Sequence, residues 1–127
     1  MTVQASPIAC KVNNVFIHVS DLKRSVKWYA NLLGLSIDEA TIESPVHNIP
    51  VTGETGLTLD DHTFDPGFTL APSSHVLFNL FVEDIDAAYQ FIQDNQITVT
   101  REIERIGDFA YFNFQDPDGN VLMICNC

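Results

Sequence analysis

Basic residues are scarce in this sequence. Lysine and arginine number 6 against 17 aspartates and glutamates, giving a formal charge of −11 over 127 residues. Binding to a phosphate backbone needs clustered cations, so nucleic acid is excluded as a partner. Long apolar runs are missing as well. The best stretch, Leu77–Val82, is interrupted by Asn79, whereas a spanning helix needs about 20 apolar residues. No membrane partner is expected. No N-terminal stretch pairs a basic start with an apolar core, so no secretory signal is expected and the location reads as cytoplasmic. Cysteine is limited to Cys10, Cys125 and Cys127, an odd count without a CxxC pair. A bridge between Cys125 and Cys127 is disfavoured within one strand, so all three read as reduced thiols. The 6 glycines are scattered and form no phosphate-cradling loop.

What is present is a globular composition, with 46% hydrophobic and 18% charged residues. A chain of this size buries roughly two-thirds of its unfolded surface. Sliding the sequence by 63 positions exposes an internal repeat. Val15, Ile17 and Val19 fall on Phe78, Leu80 and Val82, and Asp21-Leu22 falls on Asp84-Ile85. In each half a strand of alternating apolar residues runs into an aspartate. Asp21 and Asp84 predict helix N-caps, since a short carboxylate accepts the free backbone N–H groups of the first turn. Leu22, Val26, Tyr29 and Leu33 recur at helical spacing, as do Ile85, Ala88, Tyr89 and Ile92. Gly34 reads as the residue just past the first helix.

Strand-like runs follow each helix. They span Leu35–Ile42, Ile49–Thr52 and Leu57–Asp60 in the first half, and Ile97–Ile106, Phe109–Gln115 and Val121–Cys125 in the second. Asp116-Pro117-Asp118-Gly119-Asn120 predicts a tight turn closing the last hairpin. The expectation is one domain over 1–127 built from two β-α-β-β-β modules. Module one covers about 8–60, a linker about 61–74, and module two about 75–127.

Strand alternation sorts the side chains into two faces. Val15, Ile17 and Val19 suit packing under a helix, while Asn14, Phe16 and His18 form a mixed face. In the second half Phe78, Leu80 and Val82 are the apolar set, and His75, Leu77, Asn79 and Phe81 lie opposite. Leu122 and Ile124 point to the helix side, leaving Val121, Met123 and Cys125 on the other. Mixed faces need a cover, and a concave ligand cavity is one.

Val19-Ser20-Asp21-Leu22-Lys23-Arg24-Ser25, with Trp28-Tyr29 and Leu33-Gly34-Leu35, resembles the opening of the vicinal oxygen chelate superfamily. Phe112-Asn113-Phe114-Gln115-Asp116-Pro117-Asp118-Gly119-Asn120 resembles its closing hairpin. That superfamily includes glyoxalase I, extradiol dioxygenases and bleomycin-resistance proteins. The resemblance implies an α+β fold in which two βαβββ modules form one curled mixed sheet around a cavity. It also implies four metal-ligand positions, which here carry Asn14, Thr58, Leu77 and Met123. Leucine has no donor atom, and methionine and threonine suit such ions poorly. No metal and no other cofactor is therefore expected.

The remaining histidines show neither HxH nor HxxxH spacing, so His18, His47, His62 and His75 read as exposed or hydrogen-bonded groups. His18 is the one candidate catalytic residue, as a general base or a hydrogen-bond donor. Cys125 reads as a small buried hydrophobe. The expected ligand cavity is lined by Asn14, Phe16, His18, Thr58 and Leu77 from the first half and its sequel. Asn79, Phe81, Tyr111, Asn113 and Met123 complete it. Such a lining suits a small, partly aromatic organic ligand, and the net charge favours a cationic one. The expected function is binding or sequestration of that small-molecule ligand by a homodimer. The alternative is a metal-dependent lyase or dioxygenase with a non-standard ligand set.

Overall fold

The computed structural model describes residues 5–127. The chain divides at Phe68/Thr69 into two compact units, inside the 61–74 segment read as a linker. Each unit opens as the repeat predicts. The Asp21 carboxylate accepts the Arg24 N–H at 3.1 Å and starts α1 (Leu22–Leu33). Gly34 ends it in the left-handed region at φ 69, where its N–H reaches the carbonyls of Ala30 and Asn31. In the second unit Asp84 accepts the Ala87 N–H at 3.0 Å and starts α2 (Ile85–Asp94). Both helices bury one apolar stripe: Leu22, Val26 and Tyr29 in α1, Ile85 and Ile92 in α2.

Unit one holds β1 (Asn14–His18), β2 (Val46–Ile49) and β3 (Gly56–Asp60). The sheet order is β1-β3-β2, with β1 parallel and β2 antiparallel to the central strand. Ile17, Leu57, Leu59 and Ile49 form its buried side. The run Leu35–Ile42 is not the expected strand. It contains a 3-10 turn, Glu39–Thr41, because the Asp38 carboxylate accepts the Ala40 N–H and its carbonyl accepts from Thr41. A short side chain that bonds its own following backbone competes with extended pairing. β2 also sits earlier than expected, ending before Pro50, which has no N–H for a ladder.

Unit two holds β4 (Asn79–Phe81), β5 (Val99–Ile106), β6 (Phe109–Gln115) and β7 (Val121–Cys125), in the order β4-β7-β6-β5. β4 runs parallel to β7; the other pairs are antiparallel. Phe112, Phe114, Leu122 and Ile124 are buried on one face, as alternation predicts. The fold is α+β, with hydrogen-bonded ladders that form two mixed sheets of three and four strands rather than the one sheet expected.

The cysteine reading also needs correction. Cys125 and Cys127 are joined as a disulfide, and Cys10 is free. The strand ends at Cys125, and the two Cα atoms lie 5.3 Å apart, inside the range a bridge spans.

Candidate functional site

The two ladders place corresponding residues on corresponding faces. In unit one, Phe16, Thr58 and Asn48 form one row across the sheet, and His18, Asp60 and Val46 form the next. In unit two the equivalent rows are Asn79, Met123 and Asn113, then Phe81, Cys125 and Tyr111. Asp60 and His62 stand 65 residues ahead of Cys125 and Cys127. The repeat thus carries an imidazole–carboxylate end in one unit and a disulfide in the other.

His18 ends β1 and Asp60 ends β3, directly paired across the parallel ladder. The chain then turns through His62, whose backbone adopts the left-handed conformation at φ 55. The buried Asp60 carboxylate fixes that turn by accepting the His62 N–H at 2.8 Å through Oδ1. His62 Nε2 lies 2.6 Å from His18 Nδ1 and 3.5 Å from Asp60 Oδ2. The Phe68 ring stacks on His62, with centroids 3.6 Å apart and planes 9° apart, and Phe64 stacks further out at 5.4 Å. His62 Nδ1 is buried with no hydrogen-bond partner among the described residues.

Burial lowers the pKa of His18, the neighbouring His62 charge lowers it further, and the Asp60 carboxylate opposes both without cancelling them. The linkage has a definite sign. A folded-state pKa below the unfolded value of about 6.5 means that protonation favours unfolding. The contribution of His18 to stability is full above that value and falls away as pH drops toward the folded pKa. An NMR titration of the imidazole resonances should therefore give His18 a midpoint below 6.5, the ordinary value. A midpoint at or above it would contradict this environment.

Unit two presents a different chemistry. Phe81 is 67% exposed on the face that also carries Tyr111. The Tyr111 hydroxyl donates to Glu104 Oε2 at 2.7 Å, and Arg101 donates to Glu104 Oε1 at 2.7 Å. These two donors hold the Glu104 carboxyl below its usual range, with Tyr111 the larger influence. Beside them Asn113 Oδ1 is buried without a partner among the described residues.

Of the expected lining, Asn14, Phe16, His18 and Thr58 share one face in unit one, and Asn79, Phe81, Tyr111, Asn113 and Met123 share one in unit two. Thr58 is buried and its hydroxyl donates to Asn48 Oδ1 at 2.7 Å. Leu77 lies before β4, where its N–H donates to the Val121 carbonyl at 3.0 Å. None of these residues lines the cavity of about 330 Å³ at the start of α1, which is bounded by Asp21, Lys23, Ser44 and Asp61 among others. The grouping of Asp60 and His62 with His18 escaped the spacing rules. The legible signal was indirect: a β-α-β unit whose parallel strands both end in potential metal donors.

The sheets and helices define a protein of paired β-α-β modules. Residues 11–124 match the Glyoxalase/Bleomycin resistance protein/Dioxygenase superfamily, and the chain belongs to that family. It is 26% identical over 113 residues to the Metallothiol transferase FosB of Staphylococcus epidermidis, covering 87% of this chain and 78% of that protein. FosB of Staphylococcus saprophyticus is similar to the same degree over 111 residues, covering 86% of this chain and 72% of that one. Among solved structures, the Oxidase ChaP-H1 superposes with a TM-score of 0.71 at 20% identity, covering 94% of this chain and 97% of that one. A superfamily member from Sphaerobacter thermophilus gives 0.70 at 22% identity, covering 92% and 97%. These structural likenesses carry the fold.

Proposed function

We propose that this protein binds a small, partly aromatic organic ligand, using the face of β4, β7 and β6 that carries the exposed Phe81, without an ion at the family's ligand positions. The observation that carries this reading is the orphaned Asn113 Oδ1 beside Phe81, Tyr111 and Met123. A buried acceptor without a donor is costly, and a ligand N–H or O–H would supply one while the aromatic rings cover its flat face. Asn14, Thr58, Leu77 and Met123 offer an ion almost nothing, which supports the same reading. Sequestration as a homodimer belongs to this proposal, and a monomer mass by light scattering at micromolar concentration would remove that part.

Acridine orange, a flat cationic dye, is a suitable probe for fluorescence titration. Saturable binding at one dye per chain is expected, weakened about tenfold by Phe81→Ala, the scale of losing one stacked aromatic contact. Unchanged binding in the folded variant would sink the reading. A metal-dependent lyase or dioxygenase with a non-standard ligand set is the second reading. The His18, Asp60 and His62 cluster favours it, as does the similarity to proteins named metallothiol transferases.

A further inference from the structure

We infer that unit one binds a single borderline divalent cation through His18 Nδ1, Asp60 Oδ2 and His62 Nε2. One donor atom from each of the three residues lies within 4.8 Å of the other two. Around one ion with bonds of about 2.0–2.2 Å, neighbouring tetrahedral donors stand roughly 3.4 Å apart. The observed 2.6 and 3.5 Å separations bracket that value.

A plain hydrogen bond between the two imidazoles is the competing account. It uses one proton and satisfies His18 Nδ1 and His62 Nε2 at 2.6 Å, but it leaves Asp60 Oδ2, on a residue only 7% exposed, with the longer 3.5 Å approach to His62 Nε2. Buried carboxylates need a counter-charge. A divalent ion provides it and takes both lone pairs at the same time. The stacked Phe68 ring holds the His62 plane in place, and the Asp60 Oδ1 bond to the His62 N–H ties the turn to the strand end.

Two imidazoles with one carboxylate select ions such as Zn²⁺, Ni²⁺, Co²⁺ or Fe²⁺ over Mg²⁺ and Ca²⁺, which prefer all-oxygen shells. Three protein donors leave a coordination position open to water or to a ligand oxygen. The site is distinct from the positions the family resemblance marks. His18 lies four residues along β1 from Asn14, about 13 Å at strand rise.

The chain, stripped with a chelator, is titrated with Co²⁺ alone, following the ligand-field absorption, and then with Zn²⁺ in competition. No organic ligand takes part, so the outcome is separate from that of the dye experiment. One ion per chain is expected. His18→Ala, Asp60→Asn and His62→Gly should each weaken it at least about tenfold, since even groups behind a metal ligand are worth that much. His62→Gly keeps a residue suited to the left-handed turn, so it tests the ligand without straining the backbone. His47→Ala, on the opposite face of β2, and His75→Ala, in unit two, should bind as the unaltered chain does. Zn²⁺ should raise the melting temperature of the unaltered chain and not that of His62→Gly. Absence of a stoichiometric ion overturns the inference. So does binding that survives in His62→Gly, or binding that disappears in either control.

Discussion

Phe112→Ala is expected to cost about 3–5 kcal/mol of stability, whereas Phe81→Ala should cost less than about 1 kcal/mol. Both residues are phenylalanines of the same four-stranded sheet, and the difference comes from the face each one occupies. Phe112 is fully buried, with the Tyr89 ring edge-on at 5.1 Å and Phe114 beyond it. Truncation there removes the transfer free energy of a whole ring and leaves a cavity that its β-sheet neighbours cannot collapse into. Phe81 is largely in water already, so its removal withdraws little apolar surface. Urea unfolding of the two variants measures the contrast. Similar losses for both would mean that the exposed face is core, and the ligand-binding proposal would fall with it.

The residues that could be read from the sequence were those whose structure is decided locally. Asp21, Asp84 and Gly34 act within a single helical turn, and all three cap as predicted. The second-half strands matched within a few residues because alternation and the Asp116–Asn120 turn fix register together. Leu35–Ile42 failed because apolar alternation there competes with the Asp38 side chain, and the nearer hydrogen bonds prevailed. β4 shortened to Asn79–Phe81, yet flanking bonds from Leu77 and Val82 to β7 continue its direction.

The cluster of His18 with Asp60 and His62 was illegible for a different reason. His18 stands 42 residues before Asp60 and 44 before His62. They meet only because β1 and β3 pair in parallel with a whole helix between them. Spacing rules register ligands on one element, so they miss donors assembled by a crossover. The Cys125–Cys127 bridge is disfavoured only if both cysteines belong to one strand, whereas Cys125 is the last residue of β7 and Cys127 lies beyond it. The repeat links these two cases, since the last strand position and the second residue beyond it carry Asp60 and His62 in one unit and Cys125 and Cys127 in the other.

Asp116→Ala should cost about 3 kcal/mol, which places it beside the deletion of a core aromatic although the residue sits in a turn. The Asp116 side chain is 5% exposed and acts as an internal template for the loop. Oδ1 accepts the N–H groups of Asp118 and Asn120, each at 2.9 Å, and Oδ2 accepts the Asn120 amide at 3.0 Å. Alanine leaves those donors unpaired, and bonds to a charged acceptor contribute roughly 1.5–3 kcal/mol before overlap between them is allowed for. Asp116→Asn separates the charge from the shape. Its oxygen can keep the two backbone bonds, but its NH₂ then faces the NH₂ of Asn120. Asn120 cannot turn its amide to relieve this, because its Oδ1 already accepts the Ser73 N–H at 3.0 Å. The asparagine variant should therefore lose about 1–2 kcal/mol, between alanine and the unaltered chain. Urea melts of both variants read the series directly. If neither variant loses more than about 0.5 kcal/mol, the turn is held by its backbone alone and Asp116 is not its template.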